Sequence, residues 1–356
     1  MSDDGFDRAD DPVAIVGMAV EAPGGIDTAE KYWELLAHGR EALGPFPTDR
    51  GWQVRELLAG SRRSGFKQIH DRGGFLSAAT TFDPEFFGIS PREAVAMDPQ
   101  QRVVLRVSWR ALENSGINPD DLAGHDAGCF VGASATGYGP QMATFSPHSG
   151  HLLAGTALSV ISGRVAYTLG LAGPALTVDS SCASALAAFH VAVRSVQNGD
   201  CDLALAGGVN VLGSPGFFVE FSKQHALSDD GHCRPYSAQA SGTVWAEGAA
   251  MFVLQRKSAA LRAGRRVLAE VRASDRSSVR SPSRVPVPWP STMPTSSGRI
   301  PACVMARRNR RTCASPLGAL SPALRPSWLT AVARTSASTR GRWAAGRICV
   351  ATQTLP

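Results

Sequence analysis

Beyond Asp275 the sequence contains no aspartate, no glutamate and no lysine, although 13 of its arginines lie there. That segment carries the whole of the net charge of +6, because the residues up to Asp275 hold 23 basic against 30 acidic side chains. The folded part is therefore acidic, and the positive average marks no nucleic-acid surface. Paired C-x-x-C motifs are also missing. Seven cysteines at irregular spacings suit a reducing compartment better than a disulfide framework or a zinc site, so a cytoplasmic protein without metal is expected. No uninterrupted apolar run approaches a membrane span, and MSDDGFDRADD at the N-terminus is acidic where a signal peptide would be basic and then apolar. Neither a G-x-G-x-x-G nor a GK[ST] frame surrounds Gly207-Gly208, which excludes a phosphate loop there.

What remains is a chain of 356 residues, 44% hydrophobic, long enough for one large or two ordinary domains with a real core. From Pro12 to Arg272 short apolar runs alternate with helical periodicity, the pattern of an α/β protein. VAIVGM (Val13 to Met18) is expected as the first strand, followed by a turn at Pro23-Gly24-Gly25 and an amphipathic helix in AEKYWELLAHGR. A long polar, glycine-rich insertion leads to a helix with Val103, Val104, Val107, Trp109 and Leu112 on its apolar positions. Strands are then expected in AGCFVGA, around Leu176 and Val178, in LALAGGVNV, in GAAMFVLQR and in VLAEVRA, the last two joined by a short helix ending near Gly264.

Cys182 stands where the buried strand around Leu176 and Val178 is expected to turn into the helix-forming run Ala183 to Phe189, which stops at Asn198-Gly199. A cysteine that opens a helix meets free backbone N–H groups and the positive end of the helix dipole, which favour a thiolate. The small side chains of Ser180, Ser181, Ala183 and Ser184 leave room for a substrate carbonyl, so nucleophilic acyl transfer is the chemistry this pattern permits. The same residues also fit an inert core thiol. His190 cannot serve as base, because eight positions along a helix put it about 12 Å from Cys182 along the axis. Glu247 is expected as a structural carboxylate, Phe217, Phe218 and Phe221 as core rather than an acyl channel, and His148 and His151 as exposed loop residues.

The order of motifs resembles one family closely. DPVAIVGMAVEAPGG, FPTDRGW (Phe46 to Trp52), GGFLSAATTFDPEFFGISPREAVAMDPQQR (Gly73 to Arg102), SGRVAYTLGLAGPALTVDSSCASALAAFH, CDLALAGGVNV and FVEFSKQHALSDDGHCRPYSAQASGTVWAEGAAMFVLQR succeed one another as in the ketosynthase domain of modular type I polyketide synthases. The resemblance covers Asp11 to about Ala273, roughly the N-terminal two thirds of such a domain. It implies an α/β fold of the thiolase-like kind, layered α-β-α-β-α, of which this chain supplies one half and the first strand of the other. It implies further that Cys182 accepts an acyl chain as a thioester, that acyl carrier protein domains bearing phosphopantetheine are the partners, and that the enzyme has no cofactor of its own. A homodimer paired through the nucleophile's strand is also implied. Ala183 and Ala185 interleave with Ser184 where the family has a serine-rich run, and Val20-Glu21-Ala22 replaces its more typical Cys-Arg-Leu/Phe. The family gives Cys129, Cys201 and Cys233 no role, so they are expected as buried or incidental thiols.

Two histidines complete the chemistry in the family, in motifs like EAHGTGT and NIGHT, helped by a lysine. Neither motif is present, and the last histidine here is His232. Every position for the pair falls within residues 273–356, where periodicity collapses into Arg, Ser, Pro, Thr and Ala. A disordered basic tail has such a composition. Complete loss of acids and lysine with retained Trp, Cys and Ile fits better a GC-rich reading frame translated out of register. A half fold would leave a sheet uncovered and is expected to be unstable or prone to aggregation. Two other readings stay open: an acyl-CoA thiolase or chain-initiating synthase of the same fold, against which the insertion from about Arg40 to Arg102 speaks, and a non-catalytic remnant that at most carries an acyl group or contacts a carrier protein.

Overall fold

The computed structural model describes residues 11–139, 150–272 and 274. These lie in the first of two units, Met1–Arg284; the acidic residues 1–10, His148 and the tail from Asp275 onward are outside the described residues. Six strands form one mixed sheet: β1 (Val13–Glu21), β2 (Ala127–Gly132), β3 (Ala175–Val178), β4 (Leu203–Asn210), β5 (Gly248–Arg256) and β6 (Ala269–Glu270), in the order β3-β2-β4-β5-β1-β6. β2 runs parallel to both β3 and β4, while β5 runs antiparallel to β4 and β1. The first strand extends three residues past the expected Met18. The strand expected in VLAEVRA is reduced to Ala269–Glu270 and pairs with β1 in the same sheet.

Helices fill both faces because the strands are apolar on both. Ala14, Val16, Cys129, Val131, Leu205, Met251 and Val253 face one side, and Val13, Phe130, Ala204, Ala206 and Leu254 the other, the two-residue period of a pleated strand. The first side is covered by α4 (Pro99–Asn114) and α6 (Val160–Leu169), the second by α7 (Ser184–Asn198). Gly199 in the left-handed conformation ends α7, as the Asn198-Gly199 pair predicts.

The polar insertion is more ordered than its composition suggests. After α1 (Ala29–Ala37) it holds α2 (Val54–Arg63) and α3 (Pro91–Ala96). α3 and α4 are separate helices because Met97 and Asp98 are extended ahead of Pro99, which has no N–H to continue a helix. Ser90 and Asp98 cap the two helices, each before a proline at the first turn, the preferred N-terminal arrangement. The short α5 (Leu152–Thr156) precedes α6, α8 (Gly216–Lys223) follows β4, and α9 (Lys257–Arg262) follows β5. His151, expected as an exposed loop residue, is instead half-buried where it starts α5.

The strand before Cys182 is not buried. β3 is the end of the sheet, paired only with β2 among the described residues, and Leu176 is 47% exposed. Apolar β-branched composition identifies a strand but carries no information about its rank in the sheet.

A smaller apolar cluster, Phe46, Ile69, Leu212, Phe218 and Leu227, is fastened by a buried ion pair. Glu247 pairs with Arg50, with Arg50 Nη2 to Glu247 Oε2 at 2.8 Å, and its side chain is wholly buried. It also accepts from the backbone N–H groups of Leu76 (2.8 Å) and Leu212 (2.9 Å), while Arg50 donates to the carbonyls of the same two residues. Glu247 is thus the structural carboxylate expected, joining three loops at one point. Replacing it by alanine strands a buried guanidinium, so Glu247→Ala is expected to cost about 3–5 kcal/mol in a denaturant titration; a loss under about 1 kcal/mol would contradict a buried pair.

Burial also pushes the Asp98 carboxyl above its ordinary range, against the opposing hydrogen bonds from Gln100. A raised folded-state pKa means that the folded protein holds the proton more tightly, so stability falls as pH rises from the unfolded value near 4 through the folded one. Asp98→Asn keeps the cap and removes the buried charge. The variant should be at least as stable as the parent at neutral pH, with its advantage shrinking on acidification, as read from melting temperature across pH.

Candidate active site

The residues between β3 and α7 make a tight exit from the sheet. Asp179 to Ala183 complete it, and Cys182 lies two residues before the first residue of α7, with its thiol exposed. The expectation that Cys182 opens the helix is therefore met to within two positions. Ser181, just before it, adopts φ of 55°, a left-handed conformation that costs a non-glycine residue about 1–2 kcal/mol.

Hydrogen bonds hold that conformation. Asp179 Oδ1 accepts from the Ser181 backbone N–H at 3.0 Å and from Ser134 Oγ at 2.8 Å. Ser184 Oγ accepts from the Ser180 N–H (2.8 Å) and donates to the Ser181 carbonyl (2.7 Å). Ser134 is fixed in turn, because its carbonyl accepts from the side-chain amide of the fully buried Gln100 at 3.0 Å.

Two glycines let α7 come this close. A Cβ on Gly132, at the end of β2, would collide with the backbone of Ser184 and Ala185; one on Gly208, in β4, would lie 2.6 Å from the Ala185 side chain. Gly207-Gly208 therefore serves close packing inside a strand, not anion binding. The small-residue signal was present in the sequence, but only the register of β2 with β4, Gly132 opposite Gly208, reveals its purpose.

The remaining candidates separate cleanly. Cys129 and Cys201 are buried in the core, and burial raises their thiols to about 12 and about 11, leaving them protonated near neutrality. Cys233 is exposed in a loop. His190 lies along α7 with its Nδ1 2.9 Å from Ser274 Oγ, and His232 contacts Glu41 at 2.6 Å. Phe218 packs on Phe46 with ring centroids 4.7 Å apart, and Phe217 stacks on Trp245 at 4.6 Å; these are core contacts. No three His, Cys, Asp or Glu side chains among the described residues are grouped to hold a metal ion. None of the helices among the described residues is long and apolar enough to cross a membrane.

Comparison with known proteins places these features in context. The model of the beta-ketoacyl synthase N-terminal domain matches residues 10–260. The chain is 49% identical over 266 residues to polyketide synthase GfsB of Streptomyces halstedii, across 74% of this chain and 5% of that protein. It is 48% identical over 266 residues to mycoketide-CoA synthase of Mycobacterium tuberculosis, across 75% and 6% respectively. Among solved structures, the oxazolomycin ketosynthase domain OzmH KS7 of Streptomyces albus JA3453 superposes with a TM-score of 0.66 at 34% identity, across 74% of this chain and 46% of that one. The ketosynthase from module 6 of the bacillaene synthase of Bacillus subtilis 168 gives 0.62 at 32% identity, across 72% and 42%. The chain thus spans under a tenth of these curated relatives and under half of the solved ketosynthase chains. The fold is thiolase-like, and the described residues build one of its sheets with the helices on both faces.

Gly132→Ala tests the close approach. The added methyl is expected to lift the start of α7, lower stability by about 1–3 kcal/mol in denaturant unfolding, and change the rate at which iodoacetamide labels Cys182. An unchanged midpoint and labelling rate would show that the helix does not bear on Gly132.

Proposed function

The chain belongs to the beta-ketoacyl synthase family, and we propose that Cys182 takes an acyl chain from the phosphopantetheine arm of an acyl carrier protein for polyketide chain extension. The observation that carries this reading is the exposed thiol on a strained turn between a strand and a long helix, with small residues on either side. The thiolate adds to the thioester carbonyl, backbone N–H groups hold the oxyanion, and the carrier thiolate departs, leaving acyl-Cys182. In the second half-reaction a malonyl-type unit on another carrier loses carbon dioxide. Its enolate carbon attacks the acyl-Cys182 carbonyl, and the Cys182 thiolate leaves. The enolate needs donors of its own, and in the family two histidines supply them.

For the chain as written, the second half-reaction is impaired. Neither histidine motif occurs, and the acid-free composition beyond Asp275 supports a shifted reading frame. A remnant that carries an acyl group without condensing it is the second reading, favoured by the same observation. The enzyme uses carrier-bound substrates and no cofactor of its own. Among the described residues β3 pairs only with β2 and exposes Leu176, which supports a homodimer paired through that strand. The irregular cysteine spacing supports a cytoplasmic location.

Acyl transfer is checked by incubating the protein with a soluble acyl thioester and mapping the mass shift. The acyl group is expected on Cys182 and absent in Cys182→Ala, while a malonyl thioester should release no carbon dioxide. Acylation surviving in Cys182→Ala would overturn the assignment, and measurable decarboxylation would overturn the impairment. Sequencing the coding DNA across Val271 to Asp275 separates the two readings, since a neighbouring frame encoding both histidine motifs identifies an intact condensing enzyme.

A further inference from the structure

We infer that Asp179 is a positioning residue for Cys182, acting through the hydrogen bonds it accepts and not through its charge. The inference rests on the reading of Cys182 as acyl acceptor and concerns what sets that thiol's direction. Ser181 is one of three non-glycine residues in the left-handed region among the described residues, and its conformation decides how the chain enters Cys182. Such a conformation persists only where surrounding contacts over-determine it. Asp179 Oδ1 supplies one by accepting from the Ser181 N–H at 3.0 Å.

Asp179 is itself exposed and would wander if nothing held it. Its second contact prevents this, because the same Oδ1 accepts from Ser134 Oγ at 2.8 Å. Ser134 follows β2 by two residues, and its carbonyl is tied to Gln100 at the buried start of α4. A chain of hydrogen bonds therefore runs from the core helix through Ser134 and Asp179 to the residue before the nucleophile. Ser184 closes the turn from the other side. Every role asked of the Asp179 side chain is that of an acceptor, which an asparagine Oδ1 fills equally well.

The test uses the full chain as wild type, D179N, D179A and S134A. It has two readouts: saturation kinetics of Cys182 acylation by an acyl N-acetylcysteamine thioester, and the iodoacetamide labelling rate of Cys182 across neutral to alkaline pH. D179A is expected to lower the maximal acylation rate by about tenfold, with KM little changed. D179N should stay within about threefold of wild type in both readouts, and S134A should fall between. Wild-type behaviour of D179A would overturn the proposal, as would a D179N as slow as D179A, which would assign the effect to charge. Should the wild type resist acylation altogether, the acyl-acceptor reading fails by itself. The labelling rates then decide, with D179A departing from wild type and D179N following it if Asp179 positions the thiol. S134A, a surface hydroxyl deletion, keeps the comparison available if D179A does not fold: labelling like that of wild type would then overturn the proposal.

Discussion

The close approach of α7 to the sheet is the constraint on which the rest of this molecule depends. Packed layers normally stand off from one another by the thickness of their side chains, about 10 Å between stacked sheets. Here the first residues of α7 sit almost against the backbone of β2 and β4, because Gly132 and Gly208 present no Cβ and Ala185 presents only one methyl. The turn between β3 and α7 is short as a result, Ser181 is driven into the left-handed region, and Cys182 is carried out to the surface. Strand-to-helix turns on other folds display an exposed side chain in the same way.

Rigidity at that turn is borrowed from elsewhere. α4 is buried along most of one face, and its first residues, Pro99, Gln100 and Gln101, lie wholly or almost wholly within the protein. From there hydrogen bonds pass to Ser134, Asp179 and Ser181. Elsewhere Glu247 and Arg50 fasten the loops around Leu76 and Leu212 to the beginning of β5. Each device is anchored on a buried side chain, Glu247 through hydrogen bonds from Arg50, Leu76 and Leu212 and Gln100 through one to the Ser134 carbonyl, and buried hydrogen-bonded groups of this kind favour a single structure.

The outer surfaces have a different character. α1 carries no buried residue, and Trp33 is 69% exposed; Leu186 on α7 is 76% exposed and Leu176 on β3 47%. Apolar side chains on the outer face of α7 and along a strand that pairs on one side only among the described residues are what a multi-layered fold leaves when one of its sheets stands alone.

Strand and helix identity was legible because period-2 and period-3.6 patterns are local: β2, β4, β5 and α7 fall where the patterns put them, and Gly199 ends α7 by its lack of a Cβ. Cys182 was legible for the same reason, since a strand followed by small residues and then a helix is a local event. The helices α2, α3 and α8 were obscured by short length and polar or aromatic composition, which resemble loop and core. The sequence by itself thus determined the main strands, the helices α1, α4, α7 and α9, the place of Cys182 between a strand and a helix and the family resemblance, all encoded over a few consecutive residues or a fixed order of motifs. Tertiary structure alone decided that β3 is an edge, that β6 joins β1, that Gly132 meets Gly208 beneath Ala185, and that Gln100 reaches Asp179 through Ser134. Those facts join residues tens to hundreds of positions apart, and long-range pairing is set by packing the whole sheet, which no local period records.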